Sequence, residues 1–106
     1  MGKNFRPAFD DRESAVLLEL YGSANGTHTS YTLAWKLNPT VKVPSPEALT
    51  AFTETRDATE RLIAKGLVGS KERFPGADGI YFNGLRLTAK GQTAAIQHKE
   101  EVHARK

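Results

Sequence analysis

Leu62-Ile63-Ala64-Lys65-Gly66-Leu67-Val68 and Leu85-Arg86-Leu87-Thr88-Ala89-Lys90-Gly91 are the two stretches on which the reading of this chain turns. The first closes an apolar helical run. Lys65 sets a cation against the negative helix terminus, Gly66 supplies a left-handed cap, and Leu67-Val68 opens an extended apolar segment. In the second, Leu85 and Leu87 alternate around Arg86 as in a half-buried strand, and a helix begins just beyond Thr88. Between the two the hydrophobic period is two. Leu67 through about Phe74 reads as a strand, Pro75-Gly76-Ala77-Asp78-Gly79 as a turn, and Ile80 to Thr88 as the returning strand. Ile80 and Phe82 share one parity, Leu85 and Leu87 the other, and Asn83-Gly84 sits at the switch, where a bulge is expected. A last helix over about 89–103 carries Ala94, Ala95 and Ile96 and ends in a charged tail.

Upstream of the hairpin lies the clearest periodicity in the chain. Ser45-Pro46-Glu47 is a helix start, with a serine N-cap, proline in the first helical position and a carboxylate in the first turn. Ala48, Ala51, Phe52, Thr55, Ala58, Thr59, Leu62 and Ile63 then fall along one face, which predicts a helix over about 46–65. Before it, Asn38 to Ser45 form a proline-bounded connection. A short helix from Thr29 or Ser30 to about Leu37 places Leu33, Ala34 and Leu37 on one side and Tyr31 and Trp35 toward the other. The first helix, about 10–21, is capped by Asp10 or Asp11, carries Glu13 in its first turn and stops at Gly22. Residues 1–9 read as an extended arm.

This order of elements is that of an α+β chain with three helices, a β-hairpin and a C-terminal helix. Leu62 to Val68 followed by Leu85 to Gly91 resembles the end of a recognition helix entering a wing, then the strand-to-helix LTxKG segment of MarR-like and PadR-like regulators. The chain is therefore similar to a winged helix-turn-helix domain over residues 10–96, with 1–9 as an arm and 97–106 as the end of the last helix and its tail. Thr29, Leu33, Ala34 and Leu37 resemble the second helix of those families. The connection to the third helix is longer than the three or four residues usual there. The resemblance implies a small regulator that binds double-stranded DNA as a homodimer. Such families pair through terminal helices, which makes Phe5, Phe9, Ile96 and Val102 candidates for the dimer interface.

Charge decides which residues could meet DNA. The outer face of the third helix holds Thr50, Thr53, Glu54, Asp57, Glu60, Arg61 and Ala64, so three carboxylates oppose one arginine. Phosphates repel such a face, and Asp57–Arg61 and Arg56–Glu60 are spaced as i,i+4 pairs on a solvated helix. The cations lie elsewhere. Lys71, Arg73 and Arg86 are on the hairpin, Lys36 and Lys42 flank the helix-turn-helix, and Lys3 and Arg6 are on the arm. The candidate nucleic-acid contacts are thus Lys36, Lys42, Thr50, Thr53, Arg56, Lys71, Arg73 and Arg86. Tyr31 and Trp35 either pack beneath Val41 and Val43 or form an exposed aromatic patch for a partner. The second possibility, together with the acidic helix face, describes a protein-interaction module that leaves DNA alone.

Composition bounds the rest. The chain has 106 residues, no cysteine and 15 Lys+Arg against 12 Asp+Glu, and 39% of its residues are hydrophobic. One domain is expected at that length. Disulfide scaffolds, thiol catalysis and cysteine zinc sites are excluded. Apolar runs such as Ala15-Val16-Leu17-Leu18 fall far short of the ~20 residues of a membrane span. The first seven residues have no apolar core of a secretion signal, so a cytoplasmic protein is expected. His98 and His103 stand about 140° apart on a helix, poor joint metal ligands, and His28 reads as an isolated capping or solvated residue. With no phosphate-cradling glycine motif and no nucleophile elbow, neither enzymatic activity, a metal nor a small-molecule cofactor is expected.

Overall fold

The computed structural model describes residues 9–23, 28–76 and 79–104. Residues 1–8 of the arm, with Lys3, Phe5 and Arg6, and the side chain of Val102 lie outside what it describes. The elements are α1 (Asp11–Tyr21), α2 (Ser30–Leu37), α3 (Pro46–Ala64), β1 (Val68–Gly69), β2 (Glu72–Gly76), β3 (Gly79–Asn83), β4 (Arg86–Leu87) and α4 (Ala89–Ala104). None of the described helices is long and apolar enough to cross a membrane.

Each helix begins where local chemistry supplies its cap. The Asp10 side chain accepts from the Glu13 backbone N–H, and the Glu13 carboxylate accepts in return from the Asp10 N–H, a reciprocal capping box. Thr29 and Thr32 close the same arrangement at α2. Ser45 accepts from Ala48 N–H at α3. The end of α3 is a Schellman motif, with Gly66 N–H donating to Ile63 O and Leu67 N–H to Leu62 O. The predicted stripe is the buried one: Ala48, Ala51, Phe52, Thr55, Ala58, Thr59 and Leu62 all face inward.

The core is assembled from every element except β2. Val16, Leu17 and Leu20 of α1 meet Leu33 of α2, Ala58 and Leu62 of α3, Phe82, Leu85 and Leu87 of the returning strand, and Ala95 of α4. The hairpin is joined to α2 by one buried hydroxyl, since Phe82 N–H donates to Ser30 Oγ at 2.8 Å. A third stretch of backbone joins it, because His28 bridges Leu85, whose N–H donates to His28 O at 2.8 Å.

The hairpin differs from the sequence expectation in three ways, the first being that its two strands are split into separate two-stranded sheets, β1 with β4 and β2 with β3. Pairing continues into the expected turn, through Pro75 and as far as Gly76 opposite Gly79. No residue is inserted at Asn83-Gly84 either. Val68 pairs with Leu87 and Glu72 with Asn83, so three residues intervene on each strand and the register is unbroken. The change of parity comes instead from Gly84, whose φ of 68° lies in the left-handed region. The strand swivels there, which lets Phe82 and Leu85, three apart, both reach the core.

Candidate nucleic-acid interface

Lys71, Arg73 and Arg86 are all exposed, Arg73 in the β2–β3 sheet, Arg86 in the β1–β4 sheet and Lys71 between β1 and β2. Lys71 N–H is shared between Asn83 O and Gly84 O at the kink. Arg73 stands opposite Phe82, and Arg86 opposite Gly69, over which its guanidinium lies. None of the three forms an ion pair among the described residues. Neighbours along a strand alternate sides, so Phe74 and its partner Tyr81 occupy the face opposite Arg73.

On α3 the charges are arranged differently from the expected i,i+4 ladder. Glu54 pairs with Arg12 of α1. Asp57 takes Arg56 at 3.2 Å, and that guanidinium also lies 6.0 Å from the centre of the Phe52 ring. Arg61 turns away from Asp57 to α1, with Nε 2.7 Å from Glu13 and a terminal nitrogen 3.0 Å from Asp10. Lys65 reaches the same Glu13 carboxylate at 3.1 Å. Burial works against the charge on Glu13, but these two cations and the Asp10 N–H outweigh it and hold the carboxyl below its ordinary value. The bond that Arg61 donates to Glu13 raises Arg61 in turn. Two of the three carboxylates counted against DNA are thus neutralised by the chain itself.

Thr50 is exposed and Thr53 half-buried. Thr50 lines a cleft of about 350 Å³ together with Glu47 and Glu54, where Arg12 is the only cation. No lysine or arginine occurs between Lys42 and Arg56, so the first turns of α3 offer a duplex no cation. Lys36, in the last turn of α2, and Lys42, in the connection, are both exposed.

Tyr31 stands exposed instead of packing beneath Val41 and Val43, and Trp35 is half-buried. Tyr31 stacks on Phe52 with centroids 4.7 Å apart, and Val43 itself is exposed. The aromatic row runs from Trp35 through Tyr31 to Tyr81 and on to Phe74, at 6.5, 5.3 and 5.0 Å. A cleft of about 230 Å³ opens beside it, lined by Tyr31, Trp35, Val43, Pro44, Leu49 and Phe52 among others. Phe52 was read from sequence as part of the buried stripe only, and Tyr81, Phe74 and Leu49 were not among the candidate site residues. The signal for two of them was present in the strand parity that leaves Tyr81 on the side opposite Phe82.

The proposed dimer residues divide. Phe9 is taken up by the chain's own core, edge-on to His98 at 6.0 Å and beneath Lys65 Nζ at 5.1 Å. Ile96 is exposed on α4. His28 is not isolated: its ring nitrogens sit 3.0 Å from Ser23 Oγ, 3.1 Å from Glu19 and 3.0 Å from Thr32 Oγ1, tying α1 to α2. Among the described residues no three of His, Cys, Asp or Glu converge as a metal site. Compared with known proteins, the chain matches no family model, no curated protein and no solved structure.

Proposed function

We propose that this chain is a winged-helix domain that binds duplex DNA, with the hairpin as its wing and main phosphate contact. The element order supports the winged-helix reading, as does the His28–Leu85 bridge that gives the hairpin a third backbone partner. The observation that carries the DNA reading is the division of charge. Arg12, Arg56 and Arg61 are consumed by carboxylates, while Lys71, Arg73 and Arg86, on and between the paired strands, stand exposed. Cations arranged this way hold a phosphate backbone without reading its bases. The bare first turns of α3 point the same way, so affinity is expected to exceed specificity. Pairing of two copies through the exposed side of α4 around Ile96 belongs to the same proposal.

Fluorescence anisotropy of a labelled random duplex at about 50 and 200 mM salt tests it. Six or more phosphate contacts lose roughly a thousandfold in affinity over that range. Arg73→Ala is expected to weaken binding and to flatten the log–log salt slope by about 0.9 for the contact removed. Absence of binding at the lower salt, or an unchanged slope in the variant, removes the wing from the interface.

A further inference from the structure

We infer that the cleft between Phe9, the end of α3 and α4 binds a small aliphatic carboxylate, its chain against Leu67 and Ala94 and its charge at Lys90. At about 600 Å³ this cleft lies within the range of about 300–1,000 Å³ typical of small-molecule sites. Phe9, Leu67 and Ala94 form its apolar wall, and its charged lining residues, Lys65 and Lys90, are both cations. Thr93 and Gln97 add groups that can donate a hydrogen bond. No carboxylate lines the cleft among the described residues. The carboxylates at the start of α1 are turned elsewhere: Asp10 meets Arg61 at 3.0 Å, and the buried Glu13 takes Arg61 and Lys65. An apolar wall with cations in the lining itself is complementary to an anion that carries an apolar body.

The two lysines are not equivalent. Lys65 is engaged by Glu13 at 3.1 Å and by the Phe9 ring at 5.1 Å. Lys90 is exposed and forms no ion pair among the described residues, so the ligand's charge falls to it. The apolar body is aliphatic for a related reason. The Phe9 ring already carries Lys65 over one face and meets His98 edge-on at 6.0 Å, which leaves an aromatic ligand little to stack on. Leu67 and Ala94 offer aliphatic surface instead. The chain's own arm suits the cleft poorly, because residues 1–8 hold Lys3 and Arg6 and no carboxylate, and like charges would meet at Lys90.

Octanoate is the probe, titrated into the full chain at constant ionic strength and followed by amide NMR shifts. Saturable shifts are expected to centre on Leu67, Lys90 and Ala94. Acetate carries the charge alone, and octyltrimethylammonium carries the chain with the opposite charge; each should bind about tenfold more weakly or worse. Lys90→Glu should weaken octanoate about fivefold or more by reversing the charge the ligand meets. Thr93→Trp, which fills the mouth of the cleft, should do the same. Both positions are exposed, so the variants keep the fold, which circular dichroism checks. No DNA enters the titration, so failure of duplex binding leaves its result intact. Absence of saturable binding, shifts centred elsewhere, or equal binding to the variants overturns the inference. Equal binding of acetate reduces the site to a lysine that attracts anions, and equal binding of the ammonium leaves only apolar attraction; either overturns it. So does octanoate binding that appears only in Phe5→Ala, which assigns the cleft to the arm. A dimer dissolved by Lys90→Glu overturns it as well, by giving this side of α4 to a second copy.

Discussion

A Cβ added to Gly91 would land on the carbonyl oxygen of Leu67, far inside contact distance and against backbone that cannot swing aside. The α4 N-terminus sits that close because Thr88 works in three directions. Its N–H donates to Leu67 O, its hydroxyl donates to Gly66 O, and the hydroxyl oxygen accepts from Gly91 N–H. Gly91→Ala is therefore expected to cost about 1–3 kcal/mol or more by overpacking, read from urea unfolding. A loss under 0.5 kcal/mol would mean α4 can withdraw from β1. Glu13 is the second residue on which stability turns. Its pKa is lowered on folding, so its contribution is complete above the unfolded value near 4.5 and is lost as pH falls through the folded value. Asp10 shifts the same way, chiefly through the Glu13 N–H. Unfolding free energy should thus decline as pH drops below about 5, and Glu13→Gln should flatten that decline. The variant should also lose about 1–3 kcal/mol at pH 7, a range kept low because Arg61 and Lys65 are about half exposed and water can solvate them. A pH profile matching the parent would place the acid sensitivity elsewhere.

At the scale of elements, α3 depends on Leu62, which is fully buried among α1, the hairpin and α4. Leu62→Ala should cost about 2–5 kcal/mol through transfer and cavity terms, and a loss below 1 would mean the stripe faces elsewhere. The helices were legible in sequence because caps and periodicity act over three or four residues: Ser45-Pro46, the Asp10–Glu13 box and the Ala48-to-Leu62 stripe each announce themselves locally. The hairpin was legible in outline only. The parity change at Asn83-Gly84 shows in the sequence, but a bulge and a left-handed glycine both produce it, and only the register separates them. The partners of Arg61 were not legible at all. Asp57 is its near neighbour in sequence, whereas Glu13 and Asp10 lie 48 and 51 positions away and are brought there by the packing of α1 on α3.

For the molecule as a whole, net charge was a poor guide and its distribution a better one. The formal +3 hides a core of paired charge between α1 and α3 and a rim of exposed lysine and arginine on the hairpin, α2 and the connection. Of the candidate site, sequence located the hairpin cations and the Tyr31/Trp35 pair. It could not join that pair to Tyr81 and Phe74, because the contact spans separate elements. The double variant Arg73→Ala/Arg86→Ala should lower duplex affinity more than either single change, with the two salt-slope losses adding if each holds its own phosphate. A double variant no weaker than the singles would leave one phosphate between them. The two ends of α3 meanwhile serve different ends. Its last turns are bonded into α1 through Glu13 and run on into β1 and Gly91, whereas the outward positions of its first turns, Glu47, Leu49 and Thr50, stay exposed. Mutation can therefore rewrite what the helix touches while its far end keeps the architecture, and a lineage of such chains can change partners without having to find a new fold.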